Sequence, residues 1–182
     1  MRKVDGELAV SNLRWGLVPP WAQDETIGSS LVNGRAETVF EKPAFRDAVL
    51  KRRCLVPVSG FYEWKPLGPR EKQPYHFRLP GSRPFFLAGL WESWGPQKIE
   101  TFTLLTQQAD AAVSPVHHRM PVLLSPAEAD VWMDPGATPQ RLGALLLPKA
   151  SGLEAFPVSP KVNSPRNDSP ELLKPAEPES LF

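Results

Sequence analysis

Apolar and polar positions divide the chain into short segments, alternating or continuous in hydrophobicity, that are separated by turn-forming residues. LRWGLVPPWA, residues 13–22, predicts a short strand that Pro19-Pro20 must end, which leaves Trp21 on a loop. NGRAETV, 33–39, reads as a polar loop. KPAFRDAVLKRR, 42–53, has Pro43 near its start, apolar residues at Phe45, Val49 and Leu50, and a basic end that suits the helix dipole, so it predicts a helix. CLVPVSGFYEW, 54–64, is rich in β-branched and aromatic residues and predicts a strand, a break at Ser59-Gly60 and a second strand. The second strand should pair as a hairpin with the alternating YHFRL of 75–79. FFLAGLWESW (85–94) and ETFTLLTQQA (100–109) predict two more strands around Gly95-Pro96, the first apolar enough to be central. SPAEADVWM has Ser125 as N-cap, Pro126 at the first helical position and Glu128 at the third, the signature of a capping box. A third helical signal lies at TPQRLGALL, and from Lys161 the chain turns polar and proline-rich. The pattern as a whole predicts a largely antiparallel sheet with a few short helices.

Composition narrows this picture. A length of 182 residues favours one core and one domain, here expected over 1–175 with a flexible tail over 176–182. The 22 prolines argue against long helices. A net charge of +1 gives no bulk positive field, so any nucleic-acid binding would have to rest on a local cluster. The single cysteine, Cys54, excludes a disulfide framework and a cysteine-based zinc site and fits a reducing, cytoplasmic compartment. No apolar run approaches the roughly 20 residues of a membrane span.

Four places carry candidate chemistry. In GFYEW, alternation puts Phe61 and Glu63 on one strand face and Tyr62 and Trp64 on the other. Glu63 is either a solvent-facing edge acid or a carboxyl desolvated among aromatics, with its pKa raised toward neutrality for proton transfer. The adjacent His117 and His118 would point to opposite faces of a strand, so one of them at most would serve a pocket. With no cysteine cluster and only His76 besides them, no metal and no other cofactor are expected. Asn33 and Arg35 combine a neutral donor-acceptor with a phosphate-matching fork, or else form a turn asparagine and an arginine paired with Glu37. Cys54 follows Arg52-Arg53 and is either a thiolate activated by that positive charge or a buried strand residue, and the apolar run around it favours burial.

Taken together, LRWGLVPPWA, NGRAETV, KPAFR, RRCLVPVSGFYEW, AGLWESW, TFTLLT and VHHRMPVLL resemble the successive blocks of the SRAP family, the SOS response-associated peptidases or abasic-site processing proteins, across roughly Leu13 to Pro175. The resemblance implies an α+β fold around a curved, mostly antiparallel, barrel-like sheet with a groove for single-stranded DNA that contains abasic sites. It also implies a role in the DNA damage response, a monomer, and association with the nucleoid when bound to DNA. In that family an N-terminal cysteine, exposed when the initiator methionine is removed, condenses through its amine and thiol with the ring-opened sugar to form a thiazolidine.

By resemblance, Asn33 would hold the sugar. Glu63 would serve methionine removal and proton transfers, and His117 would assist ring opening. Arg35 and Arg119 would hold phosphates, Thr106 would add a hydroxyl contact, and Trp21 would offer a stacking face. Where the family usually reads His-Asp-Arg, this chain reads His117-His118-Arg119. The Met-Cys-Gly-Arg start is also missing, so the chain is expected to be truncated at its N-terminus. Either Met1 is an internal or misassigned start, or the chain is a shortened, non-crosslinking homologue.

Overall fold

The computed structural model describes residues 1–4 and 6–176. The chain forms two compact units, one made of Met1–Val58, Phe85–Gln108 and Met120–Pro148, the other of Ser59–Pro84, Ala109–Arg119 and Lys149–Phe182. The expected tail, 176–182, lies outside the described residues apart from Ala176.

In the first unit the chain enters as β1 (Arg2–Val4) and β2 (Glu7–Ala9), an antiparallel pair. The run expected as a longer strand from Leu13 keeps extended pairing only at β3 (Arg14–Trp15). Gly16 follows at φ +115, and a Cβ there would lie 2.6 Å from the Gly28 carbonyl oxygen, so this close backbone crossing admits only glycine. NGR, read from sequence as loop, is β4 (Asn33–Arg35), and it runs parallel to the later strand β9 (Ile99–Gln108). The correction has a physical cause. Asn and Gly are poor strand formers, but Gly34 is buried where a Cβ would press to 3.2 Å from Leu105 and 3.3 Å from Phe45, so the missing side chain lets the backbone approach.

The helix expected over 42–53 is shorter: residues 42–45 form a turn, α1 spans Arg46–Lys51, Arg52 caps it, and β5 (Arg53–Val58) begins at once. β5 and β9 flank the apolar β8 (Phe85–Trp94), which is central as its composition predicted. β10 (Arg119–Pro121), whose last two residues belong to this unit, pairs with β9, and β11 (Leu123–Leu124) pairs with β8. Among the described residues the strand path runs β10-β9-β8-β5-β1-β2, with β3 and β4 on β9, and does not close. β1–β2, β1–β5, β5–β8, β8–β9 and β8–β11 pair antiparallel, whereas β3 and β4 run parallel to β9.

α2 (Pro126–Met133) begins with the expected capping box of Ser125 and Glu128, and α3 (Pro139–Leu145) is capped by Thr138. The core includes Leu17, Val49, Leu90, Leu105, Trp132 and Leu142, all with no exposed surface. Cys54 is buried beneath Gly89, and its thiol is pushed up to about 12, chiefly by burial.

Arg53 ties the helices to the sheet. Its guanidinium donates to the carbonyls of Val49 and Leu50 at the end of α1 and of Trp132 and Asp134 at the end of α2, at 2.5–2.9 Å. These are the carbonyls that a helix end leaves without an intrahelical partner.

The second unit is built on an antiparallel sheet of β6 (Phe61–Pro66), β7 (Lys72–Arg78) and β12 (Glu154–Pro157) in the order β12-β7-β6. The break at Ser59-Gly60 falls where the sequence placed it. A Cβ on Gly60 would meet His76 Nε2 at 2.3 Å and the Phe77 carbonyl oxygen at 2.6 Å. The proline-rich stretch after Lys161 is ordered through Leu173 by two 3-10 turns, Pro160–Asn163 and Pro170–Leu173.

Arg53→Met should lower stability by on the order of 3 kcal/mol, because buried carbonyls lose charge-assisted partners. Arg53→Lys should recover less than half, since a point charge cannot span acceptors at two helix ends. Chemical denaturation of the variants checks both values, and full rescue by lysine would contradict the fork geometry.

Candidate active site

Glu63 sits at the middle of β6, and its register partner on β7 is Tyr75. Strand alternation places it with Phe61, whose ring stacks on Phe77 at 5.2 Å, so the acid shares its face with aromatic rings. Tyr62 and Trp64 face the other way, and each is tied to the C-terminal segment. The Tyr62 hydroxyl donates to the Leu172 carbonyl at 3.3 Å, and Trp64 Nε1 donates to Asn163 Oδ1 at 2.7 Å. His76 lies on that same back face, against Tyr62 and Phe156. Its burial and the nearby Arg78 hold its pKa below the ordinary histidine value.

The loop 110–118 delivers the imidazole. Asp110 accepts from the amides of Ala112 and Val113 and, through its other oxygen, from Ser151 at 2.7 Å. Burial pushes this carboxyl up, but the bonds from Ser151, Val113 and Ala112 outweigh it and hold the pKa below the usual range. The loop then turns on Val113, whose carbonyl accepts from the His117 amide at 3.0 Å.

His117 Nδ1 stands 3.5 Å from Glu63 Oε2 and 3.0 Å from the Arg119 carbonyl oxygen. The Arg119 amide also lies 3.3 Å from Nδ1, so this nitrogen donates to the carbonyl or the carboxylate in one tautomer and accepts from the amide in the other. The Glu63 side chain is 23% exposed and that of His117 33%, so both are reachable yet partly dry. Burial raises the Glu63 pKa above its ordinary value, opposed first by His117 and then by the Trp64 amide. A partly desolvated carboxyl facing an imidazole is a pair between which a proton can pass.

The two histidines do not point to opposite faces, as a strand would require. Both precede β10, and their rings lie 4.5 Å apart at 47°. His118 is exposed. Sequence reasoning missed this because it treated VHHRMP as one strand, whereas the ladder begins only at Arg119.

Of the other expected site residues, Asn33, Arg35 and Thr106 come together in the first unit. Arg35 is the register partner of Thr106, whose hydroxyl donates to the Gly34 carbonyl at 3.4 Å, and Asn33 is paired with Leu104. Trp21 lies on a loop as expected and is 57% exposed, with Nε1 3.5 Å from the Pro43 carbonyl oxygen. Arg119 opens β10 and is half-buried. Among the described residues no group of three His, Cys, Asp or Glu side chains could hold a metal ion, and no helix is long and apolar enough to cross a membrane.

The α+β fold with an open, mostly antiparallel sheet is the one that the sequence blocks implied, and known proteins bear out the likeness. A family model described as SOS response associated peptidase (SRAP) matches residues 1–165. The chain is 44% identical over 170 residues to the abasic site processing protein YoqW of Bacillus subtilis, covering 91% of this chain and 76% of the relative. It is 35% identical over 198 residues to the abasic site processing protein HMCES of Gallus gallus, covering 94% and 59%. A crystal structure of a protein from Bacteroides thetaiotaomicron superposes with a TM-score of 0.83 at 29% identity, covering 91% and 76%. The chain belongs to the SRAP family.

Because the folded-state pKa of Glu63 is raised, its ionisation opposes folding. This pair is most stable below the unfolded carboxyl pKa and loses that stability as pH rises through the folded value. Glu63→Gln should therefore raise the melting temperature at pH 7 by about 1–2 °C, with the gain vanishing below about pH 4. Thermal melts at both pH values check the sign, and a lowered melting point at pH 7 would contradict it.

Proposed function

We propose that this protein recognises abasic sites in single-stranded DNA and opens the sugar ring there. The observation that carries the reading is the Glu63–His117 pair, with its 3.5 Å approach and half-dry setting. Membership of a family whose relatives are named for abasic-site processing supports it.

Most of an abasic sugar is closed as a hemiacetal. To expose its aldehyde, the proton on the C1 hydroxyl must leave, the bond from C1 to the ring oxygen must break, and the ring oxygen must gain a proton. His117 Nε2, in the tautomer that carries its proton on Nδ1, would accept the hydroxyl proton, and Glu63 in its protonated form would supply the other. Asn33 would hold the sugar by its amide, Arg35 and Arg119 would take phosphates, Thr106 would add a hydroxyl contact, and Trp21 would give a stacking face. The family resemblance further carries a covalent step at an N-terminal cysteine, together with removal of the initiator methionine and lyase chemistry. This sequence has one cysteine, whose nitrogen is a peptide within β5 and whose thiol is buried, so the covalent step is assigned to none of the residues here. The same burial, with the thiol pushed up to about 12, opposes a cysteine peptidase acting on other proteins. The residues described here bear on binding and ring opening.

An oligonucleotide with one abasic site and a hydroxylamine probe for free aldehyde test the chemistry. Saturating protein should speed oxime formation by roughly 100-fold, and Glu63→Gln and His117→Ala should each remove that gain while DNA binding persists. No acceleration by the unaltered chain would sink ring opening. Gel shifts across a salt series should show Arg35→Ala lowering the slope of log affinity against log salt by about 0.7, one phosphate contact for single strands.

A further inference from the structure

β3 and β4 lie one after the other along the same edge of β9, both parallel to it. Their register pairs are Trp15 with Phe102, Asn33 with Leu104 and Arg35 with Thr106. On β9 the intervening Thr101, Thr103, Leu105 and Gln107 are buried, so Phe102, Leu104 and Thr106 face the other side together with their partners. One face of the first unit therefore carries an ordered row: an indole, then an amide, then a guanidinium. Each is two residues from the next on β9, a step of roughly 6.6 Å.

Trp15 leads this row and has no role in the reading above. It is 53% exposed, although burial of an indole is strongly favoured. It is also fixed in place: Nε1 donates to the Val32 carbonyl at 2.7 Å, and the ring lies nearly parallel to Phe102, 16° between planes with centroids 6.3 Å apart. An exposed ring held by its own N–H and by a neighbouring ring can stack a partner at little cost in side-chain entropy. The six side chains of the row include no carboxylate, and Arg35 is the one formal charge. Aromatic face, neutral amide and cation suit in turn the base, sugar and phosphate of a nucleotide chain, and the step between them is about the reach of one extended nucleotide.

We infer that Trp15, backed by Phe102, is a stacking platform for the intact base next to the abasic nucleotide, so that the protein reads the lesion together with one neighbouring base. This rests on the single-stranded DNA reading above and extends it from the lesion to its neighbour. Recognition of this kind is indifferent to which base is present, since every base offers a π-face.

The experiment uses fluorescence anisotropy with short thymidine oligonucleotides that carry one stable abasic analogue, and with versions in which the base on the 5′ or the 3′ side is also removed. The unaltered chain should lose roughly 5- to 150-fold in affinity when the base on one of these sides is deleted. Trp15→Ala should show the same loss with that base present and no further loss when it is absent, while Trp15→Phe keeps most of the affinity. Should Trp15→Ala fail to fold, photo-crosslinking of the unaltered chain to 5-bromouracil at the neighbouring position decides, with the adduct expected on Trp15 by mass spectrometry. A Trp15→Ala protein that binds as tightly as the unaltered one, a loss equal with and without the base, or an adduct elsewhere overturns the inference. If the unaltered chain binds none of the oligonucleotides, the single-stranded DNA reading falls and takes this one with it, an outcome readily told apart from the others.

Discussion

The pairing of β9 with its neighbours on both edges is the constraint on which the first unit depends. β8 lies antiparallel along one edge, and β3 and β4 lie parallel along the other. Because side chains alternate, this double pairing sorts β9 into an inner set, Thr101, Thr103, Leu105 and Gln107, and an outer set, Phe102, Leu104 and Thr106. Slipping the register by one residue would drive Leu105 outward and expose the side of Gly34 that the core now fills. The buried Thr101 hydroxyl, which accepts from the Val18 amide at 2.9 Å, would be displaced as well. Placement of Asn33 and Arg35 is thus a by-product of core packing rather than of any local preference for strand.

The second unit applies the same rule to a single strand. β6 presents Glu63 and Phe61 on one side and Tyr62 and Trp64 on the other, and each side answers to different partners. Glu63 meets an imidazole carried by a loop that Asp110 holds from within, through the amides of Ala112 and Val113 and the link to Ser151. The energetic tension of the site is local. Burial disfavours the charge on Glu63, His117 partly offsets this, and the structure keeps the acid in place because its strand is anchored from behind.

Much of this was legible in the sequence. The Ser59-Gly60 break, the alternation in GFYEW, the capping box at Ser125 and the apolar β8 all follow from short-range rules that act within a few residues. The parallel strand at Asn33–Arg35 was not legible, because its partner lies about seventy positions away and its residues carry no strand signal of their own. The juxtaposition of His117 and His118 was hidden for a related reason: where a ladder begins is decided by a distant strand, and two residues' difference turns opposite faces into neighbouring rings. Periodicity could not group Asn33, Glu63 and His117, and their expected joint role rests on the family resemblance.

Trp64 is bonded to Asn163, 99 positions further along the chain, and Tyr62 to Leu172, 110 positions further. Substitutions among relatives should therefore be tolerated along β6 with a period of two. Trp64 can drift only in step with the side chain at Asn163, and Tyr62 needs the Leu172 carbonyl held in place, while Phe61 and Glu63 answer to the aromatic face and the histidine loop. A five-residue motif that looks like one unit of descent is, on this geometry, two interleaved ones.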